Sequence, residues 1–561
     1  MGRARRERQS RRTGWAIAGV MAASILCVAV VGILAILAAV RAVQRIAPGP
    51  AERAGVLAVA SSPEKEPLFR ELVDRFNRAG YRTSDGERMR MEVSFLEMEA
   101  LLDAAVQGEV DAISPDSSVW LADLDARWQE VAGGDVPLAG RSFRYAVSPV
   151  VIAAWEDVAR DLGWPGPVGW EDLLAKAQGD ANFAWSHPSA TTASGLLATL
   201  AEFYAAVGKI RGLSPEDVRA QSTLDAVAAL EKTVRYYGEG EEAVIRRALE
   251  EGPGFLDAFV VQEQMVIRYN RERKGGTRLV AIYPREGTLW EDHPMVLLEH
   301  PGLTAAQRET FEQWRQFLLS AEAQRLVLQN GYRPADLGIP LDSPIHPDYG
   351  ADPTQPQTTL QIPGREVIAV VRDAWWYTKR HTNVYLVVDT SGSMQGEKLA
   401  NAQAALRTFL GQIHSDQERV GMVLFASTVY NIVDLQELGQ NRQVLLDTVD
   451  RLSASGNTAL LDGVRAAYVR LQRLNDRERI NAIVAMTDGK ENNSRIRLRD
   501  LVREVRQGNQ EGVPVVIFCV AYGDDADYDV LEDLAEASGG QVRKGDLETI
   551  RNLYKILSTY F

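Results

Sequence analysis

Cysteine and histidine are scarce in this chain, two of the first and six of the second among 561 residues. Neither cysteine has a neighbouring ligand at metal spacing, which leaves little material for a zinc or redox centre. A positive balance is missing as well. The formal charge is −14, whereas a surface that binds nucleic acid should be basic, so no nucleic-acid partner is expected. Absent too are a phosphate-cradling Gly-Lys loop, a nucleophile elbow and a His-Glu-x-x-His pair. No catalytic residue is assigned, and the chain reads as non-enzymatic. The rest is ordinary: 46% hydrophobic and 25% charged residues, in a length that calls for two or three domains.

The first twelve residues hold six arginines (Arg3, Arg5, Arg6, Arg8, Arg11, Arg12) against one glutamate. From Trp15 to Val40 no residue is charged, which makes a helix long enough to cross a hydrocarbon core of about 30 Å. A cleaved signal peptide has a shorter apolar region, so 15–40 is expected to be a retained single-pass anchor. Cys27 lies inside it, and Leu26 before it does not suit a lipoprotein signal. The arginine cluster places residues 1–14 in the cytoplasm and everything beyond the anchor outside. Cys519 then has no partner outside and is expected to be a buried small hydrophobe.

The most informative stretch is Val384 to Met394, an apolar β-branched run that ends in Asp389-Thr390-Ser391-Gly392-Ser393. It reads as a buried parallel strand delivering a loop at its carboxyl end, where open α/β sheets bind ligands. Asp389, Ser391 and Ser393 alternate, so an extended chain points one carboxylate and two hydroxyls to one side. Such oxygens suit Mg²⁺ first, with Mn²⁺ or Ca²⁺ also accommodated, and not zinc or copper. Gly456-Asn457-Thr458 lies between two helical patterns, and Ile483 to Met486 is a second apolar run leading to Thr487-Asp488-Gly489. Together these resemble the metal-ion-dependent adhesion site of von Willebrand factor type A domains, with Asp389, Ser391, Ser393, Thr458 and Asp488 at the five coordinating positions. The resemblance covers the last third of the chain. It implies a doubly wound, mostly parallel sheet over 381–561 and a partner protein that offers a carboxylate to the ion.

From Gly55 the chain alternates strands and helices, and three strand-loop-helix units end in Ser-rich turns. Phe143 to Ala154 looks like a crossover strand, Leu279 to Glu286 like its return, and a helix near Ala305 to Asn330 would pack back on the first lobe. Residues 55–345 thereby resemble the two-lobed solute-binding proteins of bacterial transport systems, also α/β. Helix amino termini carry unpaired N–H groups, so their Ser/Thr turns are ready-made for a small anionic or polar solute. Ser61, Ser62, Ser117, Ser118, Thr191, Thr192 and Ser194 are the candidates, with Arg144 and Arg285 as counter-charges and Tyr145 and Tyr283 lining the cleft. Ser and Thr are also ordinary N-caps. A lobe pair that has lost its small ligand and serves as a recognition platform stands as the alternative.

Six prolines between Pro340 and Pro363 mark an extended linker. Residues 346–380 comprise this linker and a helix whose apolar spacing (Val367, Ile368, Val371, Trp375) would pack on the flank of the last domain. That domain alternates β and α through a closing helix at Leu547 to Leu557. The acidic run Asp524, Asp525, Asp527 and Asp529 lacks the Gly and distant Glu of a calcium loop and is expected to cap the helix after it.

Overall fold

The computed structural model describes residues 55–544, apart from 181, 239, 255, 414, 489 and 523–525. The arginine-rich tail, the apolar segment 15–40 and the closing helix lie outside these residues. Among those described, no helix is long and apolar enough to cross a membrane.

The first lobe is a five-stranded sheet in the order Arg90–Phe95, Val56–Ser61, Ala112–Ser114, Pro294–Leu298, Ala139–Arg144. Helix Glu66–Ala79 places Leu68, Phe69, Leu72 and Phe76 on one face at helical spacing and buries all four. Phe76 meets Trp314 of helix Ala305–Leu318 edge to face, with ring centroids 5.1 Å apart. The expected single helix over 305–330 is two, because Ser320 turns the chain and caps Ala321–Gln329 through the Ala323 N–H.

The second lobe is built around Ala146–Trp155, which pairs with Trp290–Glu291, Ala258–Gln262, Leu279–Ile282 and Arg333–Pro334; Trp185–Pro188 and Val234–Gly238 extend the sheet. The outward crossover lies where expected: Ala139–Arg144 belongs to the first sheet and Ala146–Trp155 to the second. The return does not. Leu279–Ile282 is buried throughout and pairs inside the second sheet. The chain goes back between Trp290–Glu291 and Pro294–Leu298, through the polar Asp292-His293, because a fully apolar run is worth more as an interior strand than as a hinge.

The proline-rich segment forms no regular strand but is pinned to the second lobe: Gly350 O accepts from Ala281 N at 2.8 Å, and Leu360 N donates to Thr288 O at 2.9 Å. Helix Arg365–Thr378 follows, and its packing differs from the expectation. Its apolar face lies on the helices Ala193–Val207, Pro215–Arg219 and Gln221–Glu231 of the second lobe, with Trp375 edge-on to Tyr237 at 5.2 Å. The apolar face was legible in the sequence; the body that covers it was not.

In the last domain the order is Val429–Glu437, Arg419–Phe425, Thr382–Asp389, Ile480–Thr487, Val515–Ala521, Val542–Lys544, parallel except for the first pair. Helices cover both faces. Val384, Leu386 and Val388 join one apolar cluster and Tyr385 and Val387 the other, as period-two alternation requires. Gly463 lets the helix Leu460–Leu474 approach the sheet, since a Cβ there would meet Phe425 at 2.8 Å. Cys519 is buried in its strand, which pushes its thiol up to about 12. Asp527 stands at the start of helix Tyr528–Glu536, but its side chain makes no capping bond, contrary to the expectation for this residue; Asp524 and Asp525 lie outside the described residues.

Candidate metal centre and interlobe cleft

Thr382–Asp389 and Ile480–Thr487 are neighbouring parallel strands with Val388 opposite Met486. The residues that end them therefore meet at one edge. Asp389 accepts from the Ser391 backbone N–H at 2.7 Å and from the Thr487 hydroxyl. The hydroxyls of Ser391 and Ser393 are 3.0 Å apart, and Ser393 Oγ donates to Asp488 Oδ1 at 2.8 Å. The Thr458 loop docks on this turn through two backbone bonds, Gly392 N to Gly456 O at 2.9 Å and Ser455 N to Thr390 O at 2.8 Å. The Thr458 main chain is held in turn by Asn492, whose side chain accepts its N–H at 3.0 Å.

The donor set fits a hard divalent cation. An octahedral Mg²⁺ at about 2.1 Å from its ligands places adjacent oxygens about 3.0 Å apart. The Ser391–Ser393 and Ser393–Asp488 separations, 3.0 and 2.8 Å, match such edges. Burial raises the Asp389 carboxyl above its ordinary value, opposed by bonds from Thr487 and Ser391 and reinforced by Asp488. A cation beside it would offset that cost. One feature was not legible in the sequence: Lys398, in the first turn of helix Glu397–Gln412, places its ammonium 2.5 Å from Asp488 Oδ2. Its position nine residues after Asp389, in the helix that starts beside the strand end, was the available signal. Lys398 neutralises one of the two carboxylates from within the chain.

The cleft candidates behave differently. Ser62 donates to Glu64 Oε1 at 2.6 Å, and the Ser118 N–H donates to Asp292 Oδ1 at 2.7 Å. Ser117 caps the short turn Ser118–Trp120, and Thr192 caps Ala193–Val207 by accepting from Gly195 N at 3.2 Å. Thr191 bonds Ser189, Ser194 is buried, and the Ser61 hydroxyl is buried without a partner among the described residues. Tyr145 shares a 3.0 Å hydrogen bond with Ser114, and Tyr283 donates to Glu263 while accepting from Asp352 N. Arg285 is occupied by Asp172 and Glu171, and Arg144 is exposed on its strand. Among the described residues, the chain's own Glu64 takes the Ser62 hydroxyl, Asp292 takes the Ser118 N–H, and Arg285 is paired with Asp172 and Glu171. Asp292 lies 174 residues from Ser118, beyond any local pattern.

The interlobe region is acidic. Lys65 is fully buried, donating to Ser114 O at 2.7 Å and Pro115 O at 2.8 Å. Burial pushes its ammonium down, against the opposing fields of Glu64, Asp116, Glu291 and Asp292. Burial, with Glu64 adding to it, pushes Asp116 up to about 7. Burial also pushes Glu241 up to about 8, although it accepts two 2.7 Å bonds from Gln262. Burial and mutual repulsion thus hold protons on these carboxyls. Across its mouth, Arg372 of helix Arg365–Thr378 reaches the first lobe, pairing with Asp123 at 2.6 Å over the Trp120 ring. A cavity of about 140 Å³, lined by Trp120, Asp123, Thr191, Arg372 and Trp376 among others, remains beneath this strap.

Comparison with known proteins agrees with both halves. Residues 57–333 match the family model for bacterial extracellular solute-binding proteins, and residues 383–555 that for the von Willebrand factor type A domain. Inter-alpha-trypsin inhibitor heavy chain H4 of Sus scrofa is 30% identical over 172 residues, covering 29% of this chain and 18% of that protein. Heavy chain H3 of Homo sapiens is 26% identical over 169 residues, covering 29% and 19%. The chain thus spans about a fifth of the length of these curated relatives. Among solved structures, a von Willebrand factor type A protein from Catenulispora acidiphila is 22% identical, covering 32% of this chain and 43% of that one, with a TM-score of 0.28. An ABC transporter from Clostridium perfringens is 12% identical, covering 57% and 98%, with a TM-score of 0.40.

Proposed function

From a chain that joins a solute-binding-protein-like domain to a von Willebrand factor type A domain, we infer a non-enzymatic binding protein tethered to the outer face of a membrane. Its C-terminal domain grips a partner protein by sharing a divalent ion, Mg²⁺ first, with a carboxylate of that partner. The convergence of Ser391, Ser393 and Asp488 oxygens at octahedral spacing, over the buried Asp389, carries this conclusion. Two of those oxygens are neutral hydroxyls, so an ion held there keeps residual positive charge for an incoming anion. Cytoplasmic residues 1–14 and the anchor 15–40 supply the tether. Immobilised full chain should retain its partner in Mg²⁺ and release it in chelator; retention indifferent to chelator would refute the metal bridge.

The occupied helix termini favour a second conclusion, that the two-lobed domain over 55–345 works as a recognition platform and not as a receptor for an anionic solute. Thermal melts of the full chain with oxyanions, sugars, amino acids and amines test it. A ligand at a hundred times its Kd stabilises by about 2.7 kcal/mol. No oxyanion is expected to raise the melting temperature, in the native chain or in Arg372→Ala. An oxyanion-specific rise in either would restore the solute-binding role.

A further inference from the structure

Three side chains in the second lobe converge where the sequence offered no metal spacing. His187 comes from strand Trp185–Pro188, Glu202 from helix Ala193–Val207 and Glu231 from the last position of helix Gln221–Glu231. All three are almost completely buried, at 1%, 2% and 0% exposure. One ligand atom from each lies within 4.8 Å of the other two.

The hydrogen-bond roles define what the cluster lacks. His187 Nδ1 is 2.7 Å from Pro188 O, which can only accept, so Nδ1 carries a hydrogen, and in the neutral ring Nε2 presents a lone pair. That lone pair faces Glu231 Oε2 at 3.2 Å and Glu202 Oε1 at 3.9 Å. Tyr237 accepts from the Arg380 backbone N–H at 2.8 Å, which leaves its own hydrogen for Glu231 Oε2 at 2.6 Å. Neither oxygen of Glu202 has a hydrogen-bond donor among the described residues, and neither does Glu231 Oε1. Acceptors thus point at acceptors in a closed interior, where each uncompensated charge costs several kcal/mol. Something positive belongs between them.

We propose that His187, Glu202 and Glu231 form a buried site for a borderline divalent transition ion of the Zn²⁺ class, separate from the adhesion-type centre. Two carboxylates and a neutral imidazole balance a dication in charge. An imidazole ligand selects such an ion over Mg²⁺ or Ca²⁺. A tetrahedral ion at about 2.1 Å from its ligands sets them about 3.4 Å apart, so the 3.2 Å separation need only widen slightly and the 3.9 Å separation contract slightly. The surroundings supply the outer bonds such ligands use: Pro188 O orients the imidazole and Tyr237 orients Glu231. Arg380, bonded to Tyr237, lies just before the last domain's first strand, so the ion stiffens the junction between the two domains. Being enclosed, it enters as the chain folds.

The test uses full chain refolded from denaturant, with chelator or with excess Zn²⁺, then desalted and assayed for metal. The native chain and Asp389→Ala should each keep one tightly held ion per chain and melt higher than their chelator-refolded forms. Glu202→Gln and His187→Gln, which preserve side-chain volume, should lose the retained ion while keeping the Mg²⁺ response of the other centre. Refolding the native chain with Co²⁺ should produce visible d–d absorption, a readout independent of any variant. Absence of retained Zn²⁺ and of the Co²⁺ band in the native chain would overturn the proposal, as would equal retention in Glu202→Gln. Either result assigns the pocket to a proton shared between Glu202 and Glu231, and leaves the adhesion-type centre untouched.

Discussion

Replacing Asp389 with alanine should abolish the Mg²⁺ response while leaving the fold intact. Two opposing terms make the structural cost small. The Ser391 N–H and the Thr487 hydroxyl lose their acceptor, at about 1–3 kcal/mol each if left dry. Against this, a fully buried carboxylate whose ionisation is opposed by burial is removed. Asp488 is not orphaned, because Lys398 remains 2.5 Å from it. Metal affinity has no such compensation. Loss of the one carboxylate on the first strand removes a charge-assisted contact worth about 1.5–3 kcal/mol and a formal charge besides, so a weakening of roughly a hundredfold or more is expected. Titration calorimetry with Mg²⁺ and Mn²⁺ on native chain, Asp389→Ala and Asp389→Asn reads it directly. Native affinity in Asp389→Ala would remove that residue from the centre.

Glu418→Ala should be the most destabilising single change at the domain junction. The carboxylate is buried and holds the Lys379 ammonium at 3.0 Å, His381 Nδ1 at 3.2 Å and the Thr382 N–H at 2.6 Å. Lys379 is itself buried, over the rings of Tyr237, Trp375 and Trp376. Removing one partner of a buried pair strands the other charge, at about 3–5 kcal/mol. In a body of this size that lowers the melting temperature by on the order of 10 °C. Replacing Glu418 and Lys379 together with methionine should recover most of the loss, because no charge is then stranded.

The same group sets an acid limit. Burial alone would raise the Glu418 carboxyl, but Lys379, His381 and Thr382 outweigh it and hold it at about 2, against 4.5 for an unperturbed Glu. A depressed folded value contributes stability that is fully present above about pH 4.5 and lost as pH falls towards 2, roughly 3 kcal/mol in all. Acid unfolding of the native chain should therefore be steeper in that window than that of Glu418→Gln. Parallel curves would show that the pair does not govern acid stability.

Local pattern made much of this protein legible. The alternation of apolar and polar residues marked nearly every strand and helix, because side-chain period depends only on neighbours in the chain. Asp389, Ser391 and Ser393 could be placed on one side for the same reason. The parallel crossover rule then set Asp488 on the adjacent strand without any knowledge of distances. Helix Arg365–Thr378 showed its apolar stripe equally clearly, yet an amphipathic stripe carries no information about which body covers it.

What tertiary structure alone decided were the partners of polar groups. A free polar group and one already satisfied look identical in sequence, and here Asp292 takes the Ser118 N–H and Glu64 the Ser62 hydroxyl that a solute was expected to meet. Histidine counts gave no hint of a metal pocket either, since His187 meets a carboxylate 44 residues away, brought there by sheet order and not by a motif. Chain periodicity specifies which face a residue occupies, a property of a few neighbouring dihedrals. Which charge sits opposite it depends on how whole lobes close, and the long-range pairing of buried donors, acceptors and ions is settled only there.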